Sequence, residues 1–167
     1  MTVEPAELTG SGNYFEDFAV GDRMRHARGK TVTDFELETL CHLVMNTAQG
    51  HFNEHFMSGT PFGGRIVFGG ITAAIVVGLA MQDTGEQSLA EVGMDELRFH
   101  KPVRHGDTLY ALSEVVATEP GARDDAGEVT FRHWGINQRD EENTTSSLDD
   151  ADGSRRSHAV AIADLVG

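Results

Sequence analysis

Hydrophobic positions follow a helical rhythm in the first half of the chain and an extended one after Gly85. Leu37, Leu40, Cys41 and Val44 recur at i, i+3, i+4 and i+7, one face of a helix. Thr33 precedes them as an N-cap, with Glu36 three residues on. This pair forms a capping box that satisfies two amide groups otherwise left orphan. Val32 and Leu37 are placed for a hydrophobic staple, and Asp34, Glu36 and Glu38 crowd the end that the helix dipole makes positive. The spacing predicts a helix from about Asp34 to Met45. Gly69-Gly70 opens a second element, ITAAIVVGLAMQ, which is apolar nearly all round and is therefore expected to be central and buried, from Ile71 to about Gln82, with Gly85 as its stop.

Beyond Gly85, Glu91–Val103, Thr108–Thr118, Gly127–Asn137 and Arg156–Val166 read as strands between turn signals at Gly106-Asp107, Pro120-Gly121 and Asp152-Gly153. Arg23 to Thr31 reads as a further strand. Residues 1–12 read as a loose tail, and 13–21 as an aromatic approach packed on the domain that spans 13–167. Arg139 to Arg155 is polar and acidic and is expected to be a loop. Asn46 to Phe68 has no period, holds Gly50, Gly59, Pro61, Gly63 and Gly64, and is long for a plain connection, as functional segments often are. One buried helix with a mostly antiparallel sheet is an α+β arrangement.

Composition narrows the function classes. The net charge of −14 argues against nucleic acid, whose binding rests on clustered cations. Of 13 basic residues only Lys30 and Lys101 are lysines. Acid excess with so little lysine resembles proteins of salt-loving organisms, in which surface carboxylates keep the protein hydrated. No apolar run reaches the ~18 residues of a membrane span, and the N-terminus lacks a signal-peptide pattern, so the expectation is a cytoplasmic protein with no membrane partner. The lone Cys41 forms no intrachain disulfide and falls on the apolar face of the first helix. No Cys/His cluster has metal spacing, so no metal is expected.

Candidate chemistry lies between Asn46 and Gly70. Asn46 leaves the end of the first helix, His51 follows five residues later, and Thr60-Pro-Phe-Gly-Gly-Arg-Ile-Val-Phe-Gly-Gly70 leads into the central helix. Here the sequence resembles the MaoC-like hydratases, the R-specific enoyl-CoA hydratase branch of the hot-dog superfamily, whose motif is D-x-N-P-x-H. Asn46 stands in the aspartate position and His51 in that of the catalytic histidine, while Ala48 and Gln49 replace the usual Asn-Pro. GNYFEDFAVGD, KTVTDFE and RFHKPVRHGDTLYALSEV also match, so the resemblance covers roughly 13–138 plus the last strand. The N-T-x-x-x-H-F-N pattern looks most like the mesaconyl-CoA or itaconyl-CoA hydratase subgroup. The resemblance implies a hot-dog fold, in which a curved antiparallel sheet wraps a long central helix. It also implies reversible hydration of a 2-enoyl-CoA thioester, with no cofactor beyond the coenzyme A of the substrate, and a homodimer or an assembly of dimers.

That chemistry has requirements the residues meet. Water must lose a proton as it attacks Cβ, and Cα must gain one; imidazole, titrating near about 6.5, suits both steps. The enolate oxygen needs donors, and backbone amides at a helix start supply them, so Gly69 and Gly70 are the candidate oxyanion site. Arg98, Lys101 and Arg104, with His100 and His105, form the one basic cluster and a docking site for coenzyme A phosphates; Asn53 and Phe68 complete the expected substrate contacts. An amide at Asn46 orients water but does not deprotonate it. Three readings follow: His51 acts alone, another acid such as Glu54 assists, or the chain binds acyl-CoA without turning it over. A hot-dog thioesterase is a further competitor, against which the central helix carries no acid before Asp83.

Overall fold

The computed structural model describes residues 13–121, 125–140, 142–146 and 158–163. Tyr14 leads into a single 3-10 turn, Phe15–Asp17, whose aromatic residues pack with Phe18 and Met24 on a cluster of Val115, Val129 and Phe131. Strand β1 (Arg23–Thr31) follows, then helix α1 (Asp34–Leu43). The capping box forms as expected: Thr33 Oγ1 accepts from the Glu36 amide at 3.3 Å, and Glu36 Oε2 accepts from the Thr33 amide at 3.1 Å. Val32 and Leu37 are each 1% exposed and share one core cluster, which is the staple.

α1 stops two residues earlier than its periodicity predicts, because Met45 adopts φ 57. The Met45 amide donates to the His42 carbonyl at 3.0 Å and the Asn46 amide to the Cys41 carbonyl at 2.9 Å, a Schellman stop built without glycine. The aperiodic segment that follows holds two short helices, α2 (Gln49–Phe52) and α3 (Glu54–Ser58).

The central helix α4 runs Gly69–Thr84, packs against α1 and three strands, and carries Ile71, Ala73, Val76 and Ala80 into the core. It is not buried all round. Gly70, Ala74 and Gly78 fall four residues apart and form an exposed strip of small side chains along one face. Glu91–Val103, read as one strand, is two: β2 (Ser88–Met94) and β3 (Leu97–Phe99), parted at Asp95-Glu96, where Glu96 takes φ 53.

Strands β4 (Thr108–Pro120) and β5 (Ala126–Asn137) form the long hairpin at the middle of the sheet. The acidic stretch expected to be a loop instead contains β6 (Glu142–Ser146), which pairs with β5 and β3. Buried Thr144 donates its hydroxyl to the Arg98 carbonyl at 2.8 Å, and a β-branched residue suits that edge. The rest of that stretch, like the tail 1–12, lies outside the described residues. Of the final predicted strand, β7 (His158–Ala163) is described, pairing with β2 and β5. The sheet order is β1-β4-β5-β6-β3, every pairing antiparallel. No helix among the described residues is long and apolar enough to cross a membrane.

Four buried polar side chains lock α4 onto this sheet. Asp83, in its last turn, accepts from His26 Nδ1 on β1 at 2.6 Å. His26 Nε2 meets Ser113 Oγ on β4 at 2.6 Å, and Ser113 Oγ meets His133 Nδ1 on β5 at 2.6 Å. With Asp83 ionised, the donors run one way: His133 to Ser113, Ser113 to His26, His26 to Asp83. Burial pushes the His26 imidazole below its ordinary value, against the pull of Asp83, so the folded state binds its proton less readily than the unfolded chain does. Stability therefore rises with pH through this window: it is full above 6.5, and falls as pH drops below 6.5 toward the lower native value. Urea unfolding between pH 5 and 8 should show that slope, flattened in His26→Gln. Asp83→Ala, which strands a buried donor, should cost about 3 kcal/mol or more in the same assay.

Candidate active site

A cleft of about 410 Å³ opens where the start of α4 meets the loop before it and the stretch after β3. It is lined by His51, Phe62, Ile66–Gly70, Thr72 and Phe99–Val103. α2 delivers His51 in its single turn, and α3 is capped by Asn53, whose Oδ1 accepts from the Phe56 amide at 2.9 Å.

The half-buried His51 ring has its Nδ1 2.8 Å from the Ile66 carbonyl. A carbonyl only accepts, so the neutral ring carries its proton on Nδ1, and Nε2 is left as the basic nitrogen. The Phe68 ring lies 5.7 Å away, tilted by 55°. Phe68 is the N-cap of α4, and its carbonyl accepts from the Ile71 and Thr72 amides at 2.9 and 3.1 Å. The Gly69 and Gly70 amides precede these in the first turn, where no carbonyl of the helix serves them. They line the same cleft as His51. A Cβ on Gly69 would stand 2.8 Å from the Phe99 ring, and one on Gly70 2.7 Å from the Phe68 ring, so a larger residue at either position has to push that ring aside.

The structure thus brings together His51, Gly69, Gly70, Phe68 and Lys101. Other expected residues lie off the lining. Asn46 is half-buried, with its Oδ1 accepting from the Ala48 amide at 3.2 Å in the turn that carries the chain into α2. Asn53 spends its amide group on the α3 cap and on Gln49. Arg98 sits on the exposed face of β3. Arg104 donates to the Phe62 carbonyl, so it braces a wall of the cleft from behind. Glu54 is bound by Arg65 through Nε at 3.3 Å and through the backbone amide at 3.1 Å.

Arg65 itself carries no expectation from the sequence. Its guanidinium also reaches Asp34 at 2.8 Å and Glu38 at 2.6 Å, and only 13% of its side chain is exposed. Glu38 foremost, then Asp34 and Glu54, hold its pKa above the ordinary value against the opposing effect of burial. Two clues pointed to it: it is the one cation in an uncharged run from Thr60 to Gly70, and Asp34 and Glu38 share a helix face.

Residues 23–149 match the mesaconyl-CoA hydratase family. The mesaconyl-CoA hydratase of Haloarcula marismortui is 33% identical over 142 residues, 78% of this chain and 39% of that protein. The (R)-specific enoyl-CoA hydratase of Rhodospirillum rubrum is 31% identical over 123 residues, 72% of this chain and 78% of that protein. A Mycobacterium tuberculosis protein with a double hot-dog fold superposes with a TM-score of 0.74 at 20% identity, over 93% of this chain and 45% of that one. The helix-in-sheet arrangement is the hot-dog fold, and the chain spans less than half the length of the mesaconyl-CoA hydratase it matches.

The overlap at Gly69 gives a direct check on the packing that opens the cleft. Gly69→Ala should lower stability by about 1–3 kcal/mol in thermal melts, the usual cost of overpacking. Adding Phe99→Leu to that variant removes the ring in the way and should recover most of the loss.

Proposed function

The chain belongs to the mesaconyl-CoA hydratase family, and on that premise we propose that it adds water reversibly to a 2-enoyl-CoA thioester, a hydro-lyase reaction. One observation carries the reading: an imidazole with Nε2 as its basic nitrogen shares a cleft with the two amides that open α4. The thioester carbonyl docks at the Gly69 and Gly70 amides. His51 Nε2 takes a proton from water as its oxygen bonds to Cβ. Electrons of the double bond move to the carbonyl oxygen, where the amides and the helix dipole stabilise the enolate. The enolate then collapses, and the imidazolium returns the proton to Cα, so hydrogen and hydroxyl add to the two carbons. His51 performs both transfers, and Asn46 shapes the turn that places it. Lys101, at the cleft rim, suits the phosphates of coenzyme A.

A branched, short enoyl chain of the mesaconyl type is the substrate that the family match favours. A second copy of this chain covers Ala74 and Gly78 of the small-residue strip and the exposed apolar residues Leu89, Val92 and Met94 of β2, an apolar extent that a lone sheet edge does not carry comfortably.

Assays on crotonyl-CoA, longer enoyl-CoAs and mesaconyl-CoA, at low and high salt, should show loss of enoyl absorbance without release of free thiol. Thiol release instead would hand the site to the thioesterase reading. His51→Ala should lower kcat/KM by about 10²- to 10⁴-fold with little change in melting temperature. Lys101→Ala should raise KM for the coenzyme A ester and weaken its dependence on salt.

A further inference from the structure

We propose that Arg65 is a positioning residue for His51, holding the Ile66 carbonyl where it fixes the imidazole with Nε2 as the base. The kinetic part of this proposal rests on the hydratase reading; the structural part does not.

The Ile66 carbonyl is what sets the His51 tautomer, at 2.8 Å from Nδ1. Ile66 belongs to no helix or strand. The segment leading to it contains Gly59, Gly63 and Gly64, with Gly63 at φ +67, so side-chain sterics restrain that backbone little. Two backbone bonds tie it locally, from the Ile66 amide to the Gly50 carbonyl at 3.1 Å and from the Val67 amide to the Val103 carbonyl at 2.8 Å.

Arg65 adds three guanidinium donors and its own backbone amide, adjacent in sequence to that carbonyl. Nη2 reaches Asp34 at 2.8 Å and Nη1 reaches Glu38 at 2.6 Å, both on α1. Nε and the backbone amide reach Glu54 on α3 at 3.3 and 3.1 Å. One side chain thus ties residue 65 both to the helix that precedes the His51 turn and to the helix that follows it. Without the guanidinium, Asp34, Glu38 and Glu54 lose the cation they share, and α1, α3 and the loop lose the tie it makes between them. A lysine supplies the charge as a single point and cannot serve three carboxylates in one plane.

An ordinary stabilising ion cluster would lower stability when broken and leave the His51 ring as it was. The spectroscopic signature separates the two. The test records long-range 15N–1H correlations of the His51 imidazole in the full chain, for wild type, Arg65→Met and Arg65→Lys, alongside hydration of crotonyl-CoA. Wild type should show the Nδ1–H tautomer. In Arg65→Met the ring should gain the Nε2–H form that unrestrained neutral histidine favours, with Arg65→Lys in between. In Arg65→Met kcat should fall about 10- to 100-fold while KM stays within about threefold.

A folded variant that keeps the wild-type tautomer pattern overturns the proposal, whatever its rate, as does a wild-type ring protonated on Nε2. If Arg65→Met does not fold, Arg65→Lys decides by the same criterion. If wild type hydrates no enoyl-CoA, the hydratase reading fails, and the tautomer comparison still decides the role of Arg65.

Discussion

The Asp83 carboxylate has to be answered inside the protein, and only one placement of α4 on the sheet answers it. The rest of that helix's buried face is aliphatic or small, and such contacts tolerate small slides along an axis. Hydrogen bonds do not. By meeting His26, and through it Ser113 and His133, Asp83 sets the helix against β1, β4 and β5 at once. Asn13 adds a bond to the Asp83 backbone carbonyl at 2.8 Å, which draws the N-terminal approach to the same point. A helix fixed at its last turn is fixed at its first, because a regular hydrogen-bonded rod has little freedom to stretch. The amides of Gly69 and Gly70 owe their place beside His51 to a polar chain at the far end of α4.

How much of this was readable from the sequence follows the range of the interactions. α1 announced itself through Val32, Thr33, Glu36 and Leu37, because a cap is a contact among neighbours. α4 and the β4–β5 hairpin announced themselves through composition and turn residues. His51, Gly69 and Gly70 were picked out by residue type, local context and the family resemblance, and the structure brings them to one cleft. α2 and α3, at four and five residues, are too short for a period to register. β6 was hidden in acidic surroundings, since its reason for being a strand is the pair of edges it meets. Arg65 and the four-residue polar chain join positions 11 to 87 residues apart; a single sequence carries no signal for the chain, and for Arg65 only its isolation in an uncharged run and the helix face shared by Asp34 and Glu38.

The balance of charge is local as well as global. In a chain of net charge −14, the carboxylates of Asp34, Glu38 and Glu54 are gathered around one guanidinium beside the cleft rather than left facing it, and the rim instead presents His100 and Lys101. The Arg65 cluster is largely shielded from solvent on its cationic side, so added salt acts on it less than on the exposed carboxylates elsewhere.

The pairing of β2 has a kinetic meaning. Its only partner among the described strands is β7, and Ser88 to Ile162 is a long loop to close before a single ladder bond is gained. Most of the sheet assembles without it: β4 and β5 form a hairpin, β1 joins β4, and β6 joins β5. Until residues 158–163 settle between β5 and β2, Leu89, Val92 and Met94 sit on an unpaired edge, exposed to any other chain in the same state. On refolding, that closure is expected to compete with collision between chains, and the yield of folded protein to fall as its concentration rises.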